Sequence, residues 1–171
     1  MTIKYKVGDM VESYKLGELD AYAHQCNCFC RMGRGIAPLL AKVNPDVRVV
    51  DNMTEEGDRA KMGNFSVAET DNFPLLFNIY GQYHWSKYKE APNRNTNYAS
   101  LESGLVAVRG DLCSKMIDIN DPVSLGLPLI GCGLAGGDWK GVVKPMIKEL
   151  FENSGVDVTV FVLEKDLHLI K

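Results

Sequence analysis

The feature that most constrains the fold is a glycine-rich junction between a strand and a helix. Residues 128–139 read Pro-Leu-Ile-Gly-Cys-Gly-Leu-Ala-Gly-Gly-Asp-Trp, so an apolar strand runs through four glycines into a helical pattern. Such a turn lets backbone N–H groups approach a phosphate, and the start of the helix adds free donors and partial positive charge. A second turn of this kind, at residues 32–37, lies far upstream. Two such turns predict a ligand with a diphosphate held between them.

The alternation of strand and helix patterns indicates the fold class. Apolar runs predict strands at residues 21–26, 65–68, 75–80, 125–130 and 157–163. Apolar residues at helical spacing predict helices at residues 35–43, 46–61, 97–116 and 138–151. Asp138 is placed to cap the last helix, and Pro145 should kink it. This order predicts an α/β sandwich with a largely parallel sheet.

Length and charge narrow the class of protein. The chain has 171 residues and a mass of 19.0 kDa, which predicts one domain over residues 1–171. Its net charge of −3 and pI near 5.6 argue against a nucleic-acid surface, which usually needs a basic stripe. The N-terminus has no apolar signal-peptide core, and the longest uncharged stretch, residues 122–137, is too short to span a bilayer. We expect a monomer without membrane association.

The five cysteines predict reduced thiols. Cys26, Cys28 and Cys30 alternate, which does not favour pairing among them, and the sequence has no Cys-x-x-Cys pair. This usage is typical of a cytoplasmic protein. A metal site on these thiols is the alternative, but His24 is the sole nitrogen ligand nearby, so we expect no metal and no cofactor.

The downstream turn matches the dinucleotide fingerprint, but its context does not. Residues 131–136 spell Gly-x-Gly-x-x-Gly, which in a dinucleotide-binding fold follows the first strand and precedes further strand–helix units. Here one helix and one strand remain, which argues against a nicotinamide or flavin dehydrogenase. The alternative interpretation is a glycine-rich turn that binds no ligand. The presence of two such turns disfavours it, because each glycine costs the folded state about 0.5–1 kcal/mol of backbone entropy.

Four segments together resemble a macro domain, the ADP-ribose-binding α/β/α module, and the resemblance covers nearly the whole chain. They are residues 8–10 (Gly-Asp-Met), 24–27 (His-Gln-Cys-Asn), 33–37 and 130–136. The resemblance implies a three-layer α/β/α sandwich with a mixed, mostly parallel central sheet. It also implies that ADP-ribose or ADP-ribose-1″-phosphate is the ligand.

The resemblance assigns binding roles to residues of this chain. Asp9 would receive the adenine amino group, Asn27 would hydrogen-bond the distal ribose, and the two turns would hold the diphosphate. The implied binding residues are Asp9, Met10, Asn27, Gly33, Gly35, Ile36, Ala37, Tyr83, Ile130, Gly131, Cys132, Gly133, Leu134, Ala135 and Gly136.

Within the family, the helix start at residues 96–98 and the Gly-Cys-Gly-Leu core are closest to a subgroup with two activities. It contains ADP-ribose-1″-phosphate phosphatases and a terminal ADP-ribose glycohydrolase. The chain departs from the glycohydrolase pattern, because Ala135 stands where those proteins have a catalytic Asp. Residues 78–82 also lack their lysine, and Lys87 and Lys89 lie out in the following loop.

The expected reaction is therefore metal-independent hydrolysis of ADP-ribose-1″-phosphate to ADP-ribose and phosphate. His24 is the expected proton shuttle or nucleophile, because its ordinary pKa near 6.5 suits either role. Asp138 would orient water, act as acid or base, or pair with His24. The alternative interpretation of His24 is a core histidine, and that of Asp138 is a helix cap without a catalytic role. The alternative functions are a non-catalytic ADP-ribose reader and a hydrolase that removes ADP-ribose from protein or nucleic acid.

Two further features stay open. Tyr83, His84, Trp85 and Tyr88 crowd one loop, either as an aromatic lid over the ligand or as a clamp on the core. Cys132 lies inside the downstream turn, but no arginine follows it as a phosphocysteine mechanism would need. We therefore interpret Cys132 as a small packing residue whose backbone belongs to the turn.

Overall fold

The computed structural model describes residues 3–86, 91–118 and 120–171. Lys87, Tyr88 and Lys89 lie outside the described residues. The strands are β1 (Lys4–Val7), β2 (Ala21–Cys26), β3 (Phe65–Ala68), β4 (Leu75–Tyr80), β5 (Val123–Leu127) and β6 (Val156–Val162). The helices are α1 (Met10–Leu16), α2 (Ala37–Val43), α3 (Asp46–Asn52), α4 (Tyr98–Ser114) and α5 (Lys144–Phe151).

The six strands form one mixed sheet in the order β1-β6-β5-β2-β4-β3. All neighbours run parallel except β3, which pairs antiparallel with β4 at one edge. The parallel strand β2 lies between β5 and β4, and its Ala21 is opposite both Leu125 and Leu75. The sheet is therefore mixed and mostly parallel, as expected.

Helices cover both faces of the sheet and produce two separate hydrophobic clusters. On one face α4 and α5 bury apolar residues such as Leu101, Leu105 and Ile147. On the other face α1, α2 and α3 bury Met10, Leu40, Val47 and their neighbours. This arrangement confirms the three-layer α/β/α sandwich. Within the described residues, no helix is long and apolar enough to cross a membrane.

The predicted helix over residues 46–61 was wrong in its second half. Helix α3 ends at Asn52, and only Arg59–Lys61 forms a short 3₁₀ turn, capped by the side chain of Asp58. Gly57 between them has φ +77°, and its N–H donates to the carbonyl of Cys28 at 2.7 Å. A tertiary hydrogen bond from a left-handed glycine therefore replaces the helix there.

Helix α5 is entered through a π-helical turn, Trp139–Val143, rather than through a kink at Pro145. The side chain of Asp138 caps this turn, and the N–H of Val143 donates to the carbonyl of Asp138 at 3.0 Å. Pro145 stands in the first turn of α5, where its missing N–H costs little. The expected cap at Asp138 is present, and the irregularity lies one turn earlier than predicted.

Truncating the core under α4 tests the packing. Leu105 is fully buried, and its neighbour Val106 is 38% exposed on the same helix. We expect Leu105→Ala to lower the free energy of unfolding by about 2–5 kcal/mol, because it leaves a cavity under the sheet. Val106→Ala is the matched control and should change it by less than about 0.5 kcal/mol. Urea denaturation of both variants measures the difference, and equal effects would contradict the assigned packing.

Candidate functional site

A cleft of about 1190 Å³ lies at the carboxyl ends of the parallel strands. Such edges collect the loops that follow neighbouring strands, which is why ligands bind there in open α/β sheets. The cleft is lined by the start of α1, the end of β2 with its following loop, the end of α3, the loop after β5, and the chain from residue 161 to 166.

The two glycine turns face each other across this cleft. They follow β2 and β5, which are adjacent in the sheet. Gly35 has φ +66°, and a Cβ placed on it would lie 3.8 Å from the side chain of Leu134 in the opposite turn. Gly33, Gly35, Ile36 and Ala37 from the first turn border the cleft, as do Ile130, Gly131, Gly133, Leu134 and Ala135 from the second.

Hydrogen bonds from the start of α4 hold the downstream turn in shape. The hydroxyl of Thr96 donates to the carbonyl of Gly131 at 2.7 Å, and the N–H of Asn95 donates to the carbonyl of Ala135 at 2.8 Å. Gly136 has φ +76°, and a Cβ there would collide with the carbonyl oxygen of Asn93. Gly133 differs, because it is exposed and a Cβ on it would meet nothing within 4 Å. Packing therefore explains Gly136, whereas Gly133 leaves room for a ligand.

Asp9 and Asn27 stand at opposite ends of the cleft. Asp9 caps α1, accepting from the N–H of Val11 at 2.9 Å, and the adjacent Gly8 bonds to Val162 at the end of β6. Asn27 follows β2, and its side chain shapes the loop by accepting from the N–H of Phe29 and donating to the carbonyl of Arg31. Both residues border the cleft, and so does Met10.

His24 borders the cleft floor but exposes no surface. Its Nε2 donates to the amide oxygen of Asn78 at 2.6 Å across the β2–β4 pair. Burial lowers the pKa of His24 to about 4, so the ring is neutral at pH 7. This environment is that of a satisfied core histidine, the alternative set out above.

Asp138 does not border the cleft. The chain turns away after Ala135, because the N–H of Gly137 bonds back to the carbonyl of Gly131 at 2.8 Å. The Asp138 carboxylate accepts from the N–H of Gly141 at 3.0 Å and lies in a separate hollow of about 280 Å³. His24 borders the cleft and Asp138 lies in the separate hollow, so the structure does not bring the two residues together.

Three of the implied binding residues also lie away from the cleft. Cys132 lines the hollow beside Asp138, and burial raises the pKa of its thiol to about 12. The hydroxyl of Tyr83 donates to the carbonyl of Gly57 at 2.7 Å, so its ring packs on the chain as a clamp. Gly136 lies behind the turn against Asn93 and does not border the cleft.

Sequence reasoning missed Asp51 and Gln25, both of which border the cleft. Asp51 lies in the last turn of α3 with 1% of its surface exposed, and its Oδ1 accepts from the hydroxyl of Tyr80 at 2.7 Å. Gln25 donates from Nε2 to Gln82 and Thr96, each at 2.9 Å. Neither residue has a local sequence signal, because only the fold brings these partners together.

Comparison with known proteins identifies several relatives that match most of this chain. The chain is 32% identical over 143 residues to an uncharacterised 17.5 kDa protein of Enterobacteria phage T4, covering 81% of this chain and 84% of that one. It is 30% identical over 161 residues to the human ADP-ribose glycohydrolase OARD1, covering 94% and 91%. It is 24% identical to the DNA ADP-ribosyl glycohydrolase of Mycobacterium tuberculosis, of which it spans 42%. No family model matches the sequence.

Solved structures show the same fold. A Bacteroides thetaiotaomicron protein of unknown function has a TM-score of 0.75 at 24% identity, covering 95% of this chain and 99% of that one. The macrodomain of Mycobacterium tuberculosis DarG has a TM-score of 0.69 at 20% identity, covering 94% and 97%. A Trypanosoma brucei macrodomain in complex with ADP-ribose has a TM-score of 0.67 at 13% identity, covering 98% and 66%.

Alanine substitutions at Gly136 and Gly133 distinguish a glycine that packing requires from one that faces open space. Gly136→Ala should lower the free energy of unfolding by about 2–4 kcal/mol, since it adds backbone strain and a collision. Gly133→Ala is the control and should unfold like the wild type. Chemical denaturation distinguishes them, and equal stability of the two variants would contradict the described turn.

The buried neutral His24 predicts a pH dependence of stability. Its folded pKa of about 4 lies below the ordinary 6.5, so its contribution is fully present above pH 6.5 and is lost as pH falls towards 4. The loss should reach about 3 kcal/mol, at 1.36 kcal/mol per pKa unit. In His24→Gln this part of the slope should vanish, whereas the exposed His168→Gln should keep it. Denaturation between pH 7 and 4 tests this, and an unchanged slope in His24→Gln would count against it.

Proposed function

The chain belongs to the macrodomain family, and from that premise we propose that it binds ADP-ribose in the cleft and hydrolyses the bond between the distal ribose and a carrier. The observation that carries the binding proposal is the pair of glycine turns that face each other in the cleft, which Asp9 and Asn27 also border. Turn N–H groups suit a diphosphate without formal positive charge. This also fits the chain's negative net charge.

The spacing of the strands supports ADP-ribose as the ligand, with adenine and the distal ribose at different strands. Strands β1 and β2 are three positions apart, which at about 4.8 Å per strand gives about 14 Å along the cleft. Adenine would lie against Asp9 and Phe161 at the β1 and β6 end, with the diphosphate between the turns. The distal ribose would then lie near Asn27.

Removal of ADP-ribose from a carrier is better supported than the phosphatase reaction. The expected phosphatase used His24 with Asp138, but the ring of His24 is enclosed and Asp138 lies in another hollow. The human relative OARD1, which matches 94% of this chain, is named an ADP-ribose glycohydrolase. The carrier is a protein or nucleic-acid group bonded to the anomeric carbon of the distal ribose.

Three substrates tested side by side distinguish the possible functions. Calorimetry with ADP-ribose measures binding, and the protein is then incubated with an ester-linked ADP-ribosylated peptide, an ADP-ribosylated oligonucleotide and ADP-ribose-1″-phosphate. We expect release of ADP-ribose from at least one of the two macromolecular carriers. Phosphate release alone would restore the phosphatase interpretation, and binding without any release would indicate a reader.

Asp9 and Asp138 provide a matched test and control for the proposed contact with adenine. Asp9 and Asp138 each cap a helical turn, but only Asp9 borders the cleft. Asp9→Asn keeps the cap and removes the charged acceptor, so we expect the dissociation constant for ADP-ribose to rise about tenfold or more. Asp138→Asn should leave the affinity unchanged. Calorimetry on both variants measures this, and equal affinities would remove Asp9 from the site.

A further inference from the structure

The hydrolysis proposed above needs a group that activates water near the distal ribose. Glycosidic bonds are commonly hydrolysed with a carboxylate as base or nucleophile. Within the described residues, the carboxylates bordering the cleft are Asp9, Asp51 and Asp166. Asp9 and Asp166 both lie at the β6 end, because Gly8 bonds to Val162 and Asp166 follows β6 in the chain.

Asp51 is the carboxylate at the Asn27 end. The thiol of Cys30, three residues after Asn27, donates to the backbone carbonyl of Asp51 at 3.3 Å. Cys30 has φ +56°, an unusual conformation for a residue with a side chain, and it borders the cleft together with Asp51 and Asn52. The end of α3 is therefore joined directly to the loop that carries Asn27.

The two oxygens of this carboxylate differ. Oδ1 accepts from the hydroxyl of Tyr80 at 2.7 Å, which fixes the plane of the group. Oδ2 has no hydrogen-bond partner among the described residues. Oδ2 is therefore the oxygen of Asp51 that remains available, in a residue that is 1% exposed. Because Asp51 borders the cleft, Oδ2 can accept from a group that enters it there.

The surroundings of Asp51 suit a base. Burial raises the pKa of Asp51, and three groups oppose this rise by favouring the charged form: the Tyr80 hydroxyl, the Lys61 ammonium and the Arg48 guanidinium. Lys61 is buried and donates to the carbonyl of Cys28 at 3.0 Å. The thiols of Cys26, Cys28 and Cys30 also lie near Asp51. Burial raises the pKa values of Cys26 and Cys28, so these two thiols stay neutral. A partly desolvated carboxylate accepts a proton more readily than an exposed one.

We propose that Asp51 is the catalytic base of the hydrolysis, an inference that rests on the proposed function. Oδ2 takes a proton from a water molecule, whose oxygen bonds to the anomeric carbon of the distal ribose. The bond from that carbon to the carrier oxygen breaks, and its electron pair leaves with the carrier. A carrier that was joined as an ester leaves as a carboxylate, and one that was joined through a hydroxyl oxygen takes up a proton from solvent. Asp51 releases its proton to solvent, so the products are ADP-ribose and the free carrier.

An isosteric substitution tests this role. Asp51→Asn should lower kcat on the ADP-ribosylated carrier at least a hundredfold, the usual scale of general base catalysis. The dissociation constant for ADP-ribose should stay within about twofold, because neither adenine nor diphosphate contacts change. Asp46→Asn is the control, since it removes a carboxylate of the same helix that does not border the cleft.

A pH profile separates a base from a residue that only supports the loop. Activity should fall below the pKa of Asp51 as the carboxylate takes up a proton. Tyr80→Phe removes a hydrogen bond to the charged form, and Lys61→Met removes a nearby positive charge. Both changes raise the pKa of Asp51, so the acidic limb of kcat/KM should move to higher pH. A purely structural role would change melting temperature or affinity without moving that limb.

The outcomes distinguish this inference from the function on which it rests. Wild-type protein that neither binds ADP-ribose nor releases it from a carrier would overturn the proposed function, and the inference with it. Hydrolysis by the wild type with full kcat in Asp51→Asn would overturn the inference alone. If Asp51→Asn loses ADP-ribose binding, the pH profile of Tyr80→Phe tests the role of Asp51 instead. An acidic limb of kcat/KM at the same pH as in the wild type would then reject Asp51 as the base.

Discussion

Everything at the cleft depends on the parallel pairing of β2 with β5 on one side and β4 on the other. This pairing puts the carboxyl ends of three strands about 4.8 Å apart at one edge of the sheet. The loop after β2 carries Asn27 and the first glycine turn, and the loop after β5 is the second turn. The end of β4 supplies Tyr80, whose hydroxyl holds Asp51. A different strand order would separate these groups by one or more strand widths.

Buried polar contacts help to fix this register. The side-chain amide of Asn78 on β4 accepts from His24 on β2, and donates to the carbonyl of Val47 in α3 and to the hydroxyl of Ser66 on β3. A fully satisfied buried network favours one pairing over slipped ones, because a shift would leave polar groups unpaired. His24 therefore ties the sheet together at the place where the family resemblance suggested catalysis.

The fold could be predicted in large part, and the errors have physical causes. Strands 21–26, 65–68 and 75–80 were predicted with the observed bounds, because they are apolar runs set off by turn residues. The helix predicted over residues 46–61 was wrong in its second half, since the hydrogen bond from Gly57 to Cys28 that replaces it joins segments distant in sequence. Asp51 lies in the half that is helical, but its partner Tyr80 is distant in sequence, so no local pattern singled it out.

The sequence by itself determined the α/β class, the two glycine turns, and the presence of Asp9 and Asn27 in segments that resemble a macro domain. These follow from local patterns, namely the apolar period, the glycines that permit unusual backbone angles, and short motifs. Only the tertiary structure decided which polar residues meet the cleft. It moved Asp138 to another hollow through the Gly137 to Gly131 hydrogen bond, enclosed His24 between strands, and brought Asp51 beside Cys30. Burial and contact are set by strand order and chain reversal, which couple residues far apart in the sequence.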